Sequence, residues 1–281
     1  MMPVAQVNGT EIAYDIQGQG EPVLLAAGIG GAANYFNPNI TALAAKYKVV
    51  LHDHRGTGGS RRDRITYSVA QMTDDMVALM DHLGIEAAHI VGHSTGAAMA
   101  HEMGLRYPDR IKSAVLYAGW AAVDPYFKRC FDVRKRVLAE SGALAYVRTT
   151  PLFLSPPWWI SANIAKLETD EPVAAQHLPE PEIMLSRIEA ICSYSPGEAL
   201  RSLTFPALIT CAKDDHLTPL YYSQRMAKVM PKADQFYFET GGHAVSQVLP
   251  EQFNAVVISY LDAVIAGRPW QAPALSYPEI A

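Results

Sequence analysis

The 281-residue chain is 49% apolar and 18% charged, enough to build a large core, which excludes general disorder. Its 23 Lys and Arg against 28 Asp and Glu leave a net charge of −5 with no basic run. A nucleic acid is therefore not an expected partner, since neutralising phosphates takes clustered cations.

Three scattered cysteines, Cys130, Cys192 and Cys211, argue against a disulfide scaffold and for a reducing compartment, the cytoplasm. No basic segment followed by an apolar run opens the chain, so no signal peptide is expected. No apolar stretch approaches the roughly 18 residues of a membrane span. CxxC, HExxH and Cys/His clusters are missing from the sequence, so neither a metal nor another cofactor is expected. Length alone suggests about two domains at ~150 residues each, but one α/β domain with an insertion fits as well.

In chain order, VAQV, Asn8-Gly9 and TEIAYD predict a hairpin, because Asn-Gly supplies two positive-φ positions. Short apolar runs follow at 22–27, 47–52, 87–91, 113–117, 207–211 and 235–238. They do not alternate with polar residues, which is the mark of strands buried on both faces. Helical spacing appears over Ser68–Leu83, with Gly84 as a stop, over Thr95–Tyr107 before Pro108, and over Pro250–Ile265. Strands and helices alternating in this way predict a mostly parallel, doubly wound sheet. The alternation stops between Trp120 and Arg201, where aromatics, prolines and helix-like pieces predict a helical cap inserted after the sixth strand. The expected organisation is a core of residues 1–119 and 202–268, a cap of 120–201, and a tail of 269–281 that is extended or loosely held.

Gly92-His93-Ser94-Thr95-Gly96 follows one of these strands and precedes a helix of small residues. In that context G-x-S-x-G is a nucleophile elbow, in which side chains two positions either side of the serine would strike neighbouring backbone. A serine needs a base, and the base an orienting acid, which here follow in the order serine, acid, histidine. His243, in Glu239-Thr-Gly-Gly-His243 just past the last strand, is the expected base. His216 reads as a neighbour of the acid. Asp214 and Asp215 both stand directly after the strand ending at Cys211, and Asp215, four residues before Pro219, is preferred. Asp124 is a distant third, and Asp53 reads as structural. The backbone N–H groups of Thr95 and Ile29 are the expected oxyanion donors, the latter in the glycine-rich Ala27–Gly31.

With AGIGG at 27–31, DHRGTGGS at 53–60, GHSTG at 92–96, KDDHLTP at 213–219 and GGH at 241–243, the chain resembles the α/β-hydrolase superfamily over essentially its whole length. It departs at Ala27, where many members carry histidine, though a backbone donor does not depend on that side chain. Gly119-Trp120, Arg129-Cys-Phe131, Val133-Arg134 and the run from Thr150 to Trp159 look like the cap of the aminoacrylate/carbamate hydrolases of pyrimidine degradation. In layout the cap is also similar to that of the 3-oxoadipate enol-lactonases. The resemblance implies a serine hydrolase acting on an ester, lactone or amide/carbamate bond of a small molecule. A non-hydrolytic receptor and a cofactor-free lyase or perhydrolase are alternatives on the same fold.

Gly28, His93, Trp120, Phe153 and Trp159 are the candidate pocket residues, with Trp120 placed first because it lies just past a strand end. Lys128, Arg129, Arg134 and Arg136 could hold a substrate carboxylate, although helical cations are usually a solvated face. The sequence leaves the assembly open between monomer and homodimer.

Overall fold

In the computed structural model, which describes residues 2–278, β1 (Val4–Val7) and β2 (Thr10–Gln17) are joined by Asn8 and Gly9. Their φ angles of 47° and 72° are the positive pair that a tight hairpin needs. The chain continues through β3 (Pro22–Ala26), α1 (Asn37–Ala44), β4 (Lys48–His52), α2 (Val69–His82), β5 (Ala88–His93), α3 (Thr95–Arg106) and β6 (Ile111–Tyr117). Five helices follow: α4 (Pro125–Arg136), α5 (Gly142–Leu154), α6 (Pro157–Ala162), α7 (Ile164–His177) and α8 (Pro181–Cys192). The chain then returns through β7 (Ala207–Ala212), α9 (Leu220–Val229), β8 (Asp234–Phe238), α10 (Val245–Val248) and α11 (Pro250–Ile265).

The strands form one eight-stranded sheet in the order β1-β2-β4-β3-β5-β6-β7-β8. Pairing is parallel from β4 through β8 and antiparallel only for β1 with β2 and β2 with β4. Both faces are covered, which is why the strands read as unbroken apolar runs. Leu24 and Ile90 pack beneath α2 and α3 with Met76 and Met99. Their strand neighbours Val23 and Val91 point the other way, onto Leu43 of α1 and Phe253 and Val257 of α11. The hydrophobic pattern did not single out α1, which buries only Asn39 and Leu43, or α9, a ten-residue helix whose buried face is Tyr222, Ser223, Met226 and Val229.

The segment between β6 and β7 is entirely helices and turns. The carboxyl ends of β5, β6, β7 and β8 deliver the loops of the site, as expected of an open parallel sheet.

The tail, expected to be extended or loosely held, has no helix or strand over its described part and docks at a few points. Trp270 lies edge-on to Phe236 and Tyr260 and donates its indole N–H to Ser259 Oγ at 2.9 Å. Further along, Gln252 donates to the Ser276 carbonyl and Tyr277 accepts from the Glu239 amide. A partly buried indole with its N–H satisfied helps to hold the segment. Residues 279–281 lie outside the described residues.

Several histidines are buried in the core. His101, on α3, is fully buried with neither ring nitrogen hydrogen-bonded, and burial pushes its pKa down to about 3. His52 is pushed down to about 4, again by burial first and then by the Arg187 charge. A ring that stays neutral in the native state but binds a proton when unfolded makes the protein less stable as pH falls below the unfolded value of ~6.5. For His101 this loss runs from about pH 6.5 down to about 3. The stability lost between pH 7 and pH 5, measured from urea midpoints, should shrink by about 2 kcal/mol in His101→Leu. An unchanged loss would mean that this ring does not contribute.

Candidate active site

The serine elbow is built by steric necessity. Ser94 adopts φ 53° and ψ −108°, between β5 and α3. A positive φ costs a non-glycine residue energy and persists only where its surroundings enforce it. Here the Ser94 N–H donates to the Tyr117 carbonyl at 2.8 Å, and the Ser94 carbonyl accepts from Ala97 and Ala98. A Cβ at Gly92 would overlap the Gly96 carbonyl, and one at Gly96 would overlap the Ala26 carbonyl. Both glycines are therefore required for α3 to approach the sheet.

His243 lies in the loop after β8, 1% exposed, with Nδ1 2.8 Å from Asp215 Oδ2. Asp215 is itself held rigidly. Its Oδ1 accepts from the amides of Leu217 and Thr218, and its Oδ2 is 2.9 Å from the Thr218 hydroxyl. Asp214, the other candidate, points elsewhere and accepts from Thr240 Oγ1 and the amides of Gly241 and Gly242. It shapes the loop that carries the histidine rather than touching the ring.

The backbone carbonyl of His243 is gripped from behind by the Tyr117 hydroxyl at 2.7 Å and by His93 Nε2 at 3.0 Å. Burial drives the His93 pKa well down, so the ring is neutral with the proton on Nε2. Tyr35 stacks on His93 at 4.4 Å. His243 Nε2 is buried with no hydrogen-bond partner among the described residues, and Ser94 Oγ does not bond to it. Ser94 and His243 line the same cavity, of about 380 Å³.

The Thr95 N–H opens α3 and has no acceptor within its helix. The Ile29 N–H donates to no group among the described residues. Gly28 brings that loop against the elbow, since a Cβ there would sit 2.9 Å from His93 Nδ1 and 3.4 Å from Ser94 Cβ. The loop is fastened by Arg187 of α8, a fully buried side chain. Arg187 donates to the Ile29 carbonyl at 3.1 Å and the Arg55 carbonyl at 2.8 Å, with His54 Nδ1 3.2 Å away. Burial pushes its pKa down to about 10, still charged at neutral pH.

Gly28, His93 and Trp159 line the cavity, whereas Trp120 and Phe153 do not. Trp120 is fully buried against Phe127 and donates its indole N–H to the Tyr194 carbonyl, so it is core. Phe153 instead stacks behind Arg134. Asp53 accepts from the Ala33 and Gly59 amides and is structural. Asp124 caps α4 and pairs with Arg225, and His216 is exposed. Thr218 and Arg187 were not singled out from the sequence. Thr218 carries no signal of its own. Arg187 does, as a charge within the apolar stripe Ile183, Met184, Ile188 and Ile191. Among the described residues no cluster of His, Cys, Asp and Glu could hold a metal ion, and no helix is long and apolar enough to cross a membrane.

Comparisons with known proteins give the family. The sequence pattern described as "alpha/beta hydrolase fold" matches residues 21–246. A protein of Azorhizobium caulinodans named "Putative carbamate hydrolase RutD" is 42% identical over 259 residues, 92% of this chain and 98% of that protein. One of the same name from Caulobacter sp. (strain K31) is 41% identical over 247 residues, 88% of this chain and 92% of its own. Among solved structures, the enol-lactonase from Burkholderia xenovorans LB400 superposes with a TM-score of 0.84 at 23% identity. It covers 92% of this chain and 100% of its own, a likeness of fold.

Proposed function

Since the chain belongs to the α/β-hydrolase family and is a hydrolase of that fold, we propose that it cleaves an ester, lactone or amide/carbamate-type bond of a small molecule through an acyl-enzyme on Ser94. The observation that carries this reading is a strained serine sharing a cavity with a histidine tied on one side to Asp215 and free on the other.

Ser94 Oγ attacks the carbonyl carbon as its proton passes to His243 Nε2. Asp215 keeps the other ring proton on Nδ1 and stabilises the imidazolium. The Thr95 and Ile29 amides receive the negative charge that develops on the carbonyl oxygen. The imidazolium protonates the leaving group. Water, deprotonated by the same histidine, then releases the acid. The triad and the two donors need no metal or cofactor for these steps. A C–N bond is favoured as a second target by the name of the relatives that are 42% and 41% identical.

A fluorophosphonate probe should attach to Ser94 in the wild-type protein, read by peptide mass, and fail to attach in Ser94→Ala and His243→Ala. Turnover of nitrophenyl esters, lactones and carbamates should disappear with it. Continued turnover by Ser94→Ala would remove the serine from the mechanism. Tight binding of small acyl compounds by the wild type, with no turnover of any, would turn the reading towards a receptor.

A further inference from the structure

The buried face of α4 consists of Phe127, Cys130, Phe131 and Arg134. The spacing is that of a core stripe, and its fourth member is a cation. Arg134 is 3% exposed, whereas Lys128, Arg129 and Arg136 face solvent. Its guanidinium lies among the rings of Phe131, Tyr146 and Phe153, 5.7, 5.0 and 5.4 Å from their centres. Nη2 donates to the Tyr146 hydroxyl at 2.8 Å. Nε and Nη1 are buried and have no acceptor among the described residues. Aromatic faces recover part of the cost of burying a charge, but N–H groups without acceptors remain costly.

Arg134 lines the same cavity as Ser94 and His243. The two carboxylates on that wall are already engaged, Glu171 with Arg148 at 3.1 Å and Asp170 with Lys166. The rest of the lining is mostly apolar and includes Val147, Leu154, Leu167, Ala174, Leu178 and Met184. At about 380 Å³ the cavity falls in the ordinary ~300–1,000 Å³ range of small-molecule sites and far exceeds a carbamate of four heavy atoms.

We propose that Arg134 is the anion-binding end of the catalytic cavity, and that the preferred substrate carries a carboxylate separated by an apolar segment from the carbonyl attacked by Ser94. The proposal rests on the serine reading above for its acyl half only. A guanidinium with free N–H groups favours a planar oxyanion that it can hold by two parallel hydrogen bonds.

The test compares two esters of equal chain length, p-nitrophenyl hydrogen glutarate and p-nitrophenyl pentanoate. Wild type should prefer the charged ester in kcat/KM. That ratio should fall by roughly tenfold or more in Arg134→Met and by less in Arg134→Lys. Calorimetry with pentanoate and pentanol on the wild type and on Arg134→Met supplies an arm that needs no turnover. The acid should bind wild type at least about tenfold more tightly than the alcohol and lose that advantage without Arg134. If Arg134→Met does not fold, Arg134→Lys and the wild-type acid/alcohol difference decide. Cleavage of both esters with no charge preference, or a preference untouched by Arg134, overturns the anion site and leaves the serine reading standing. Arg134-dependent binding of pentanoate without cleavage of either ester supports the anion site and overturns the serine reading.

Discussion

Asp215→Asn should lower kcat by roughly 10⁴ with an intact fold, while Asp214→Asn should lower it by less than about tenfold. The two neighbouring carboxylates do different work. Asp215 accepts the Nδ1 proton of His243 and the amides of Leu217 and Thr218. An asparagine there can still accept from the amides through its carbonyl oxygen. Its NH₂ would then face Nδ1, forcing the ring proton onto Nε2. A histidine protonated on Nε2 has no lone pair there to receive the serine proton. Asp214 makes no such contact and acts on the 240–242 loop. Its loss should therefore appear chiefly as reduced thermal stability. Measuring kcat for both variants on one ester, with circular dichroism to verify folding, separates the roles. Equal losses, or a larger one at 214, would reverse the assignment.

Gly96→Ala is expected to destabilise the protein by roughly 4 kcal/mol or more, at the upper end of single substitutions. The added methyl would collide with the Ala26 carbonyl oxygen and carbon, both backbone atoms of a central strand. Neither can move without breaking the β3 ladder to β4 or β5. Relief can come only by lifting α3, which also carries Ser94 away from its position. Gly30→Ala is the matched control, because a Cβ there meets nothing within 4 Å. Urea midpoints for the two variants should differ widely. A Gly96→Ala protein as stable as Gly30→Ala would show that α3 does not depend on this close approach.

These contrasts also show what was legible in the chain. The elbow could be read because two glycines at fixed spacing are demanded by backbone contacts, and local sequence encodes local sterics. The order of serine, acid and histidine is that of the α/β-hydrolase architecture, and the strand ends then pointed to Asp214, Asp215 and His243 as candidates. Choosing between Asp214 and Asp215 was harder, because successive residues leaving a strand point in opposite directions and only the finished loop decides which one faces the ring. Trp120 stands just past a strand end, as an active-site residue would, yet its side chain turns inward to Phe127. Nothing local fixes that direction. Arg134 and Arg187 did carry a signal, since each falls within the apolar stripe of its helix. A cation at such a position reads as an exception to the pattern until the partner surface is known.

Arg187 has a mechanical consequence. Its helix reaches across to the carbonyl next to a proposed oxyanion donor, and Ser186 likewise bonds the Tyr67 amide. Lifting that part of the roof would strip the guanidinium of its acceptors and slacken the strand of chain meant to catch the developing charge. The carboxyl end of α7 is tied to the body as well, where Arg62 donates to the His177 carbonyl at 3.0 Å. Cap and catching loop are thus fastened to one another, so a displacement of either is felt by both.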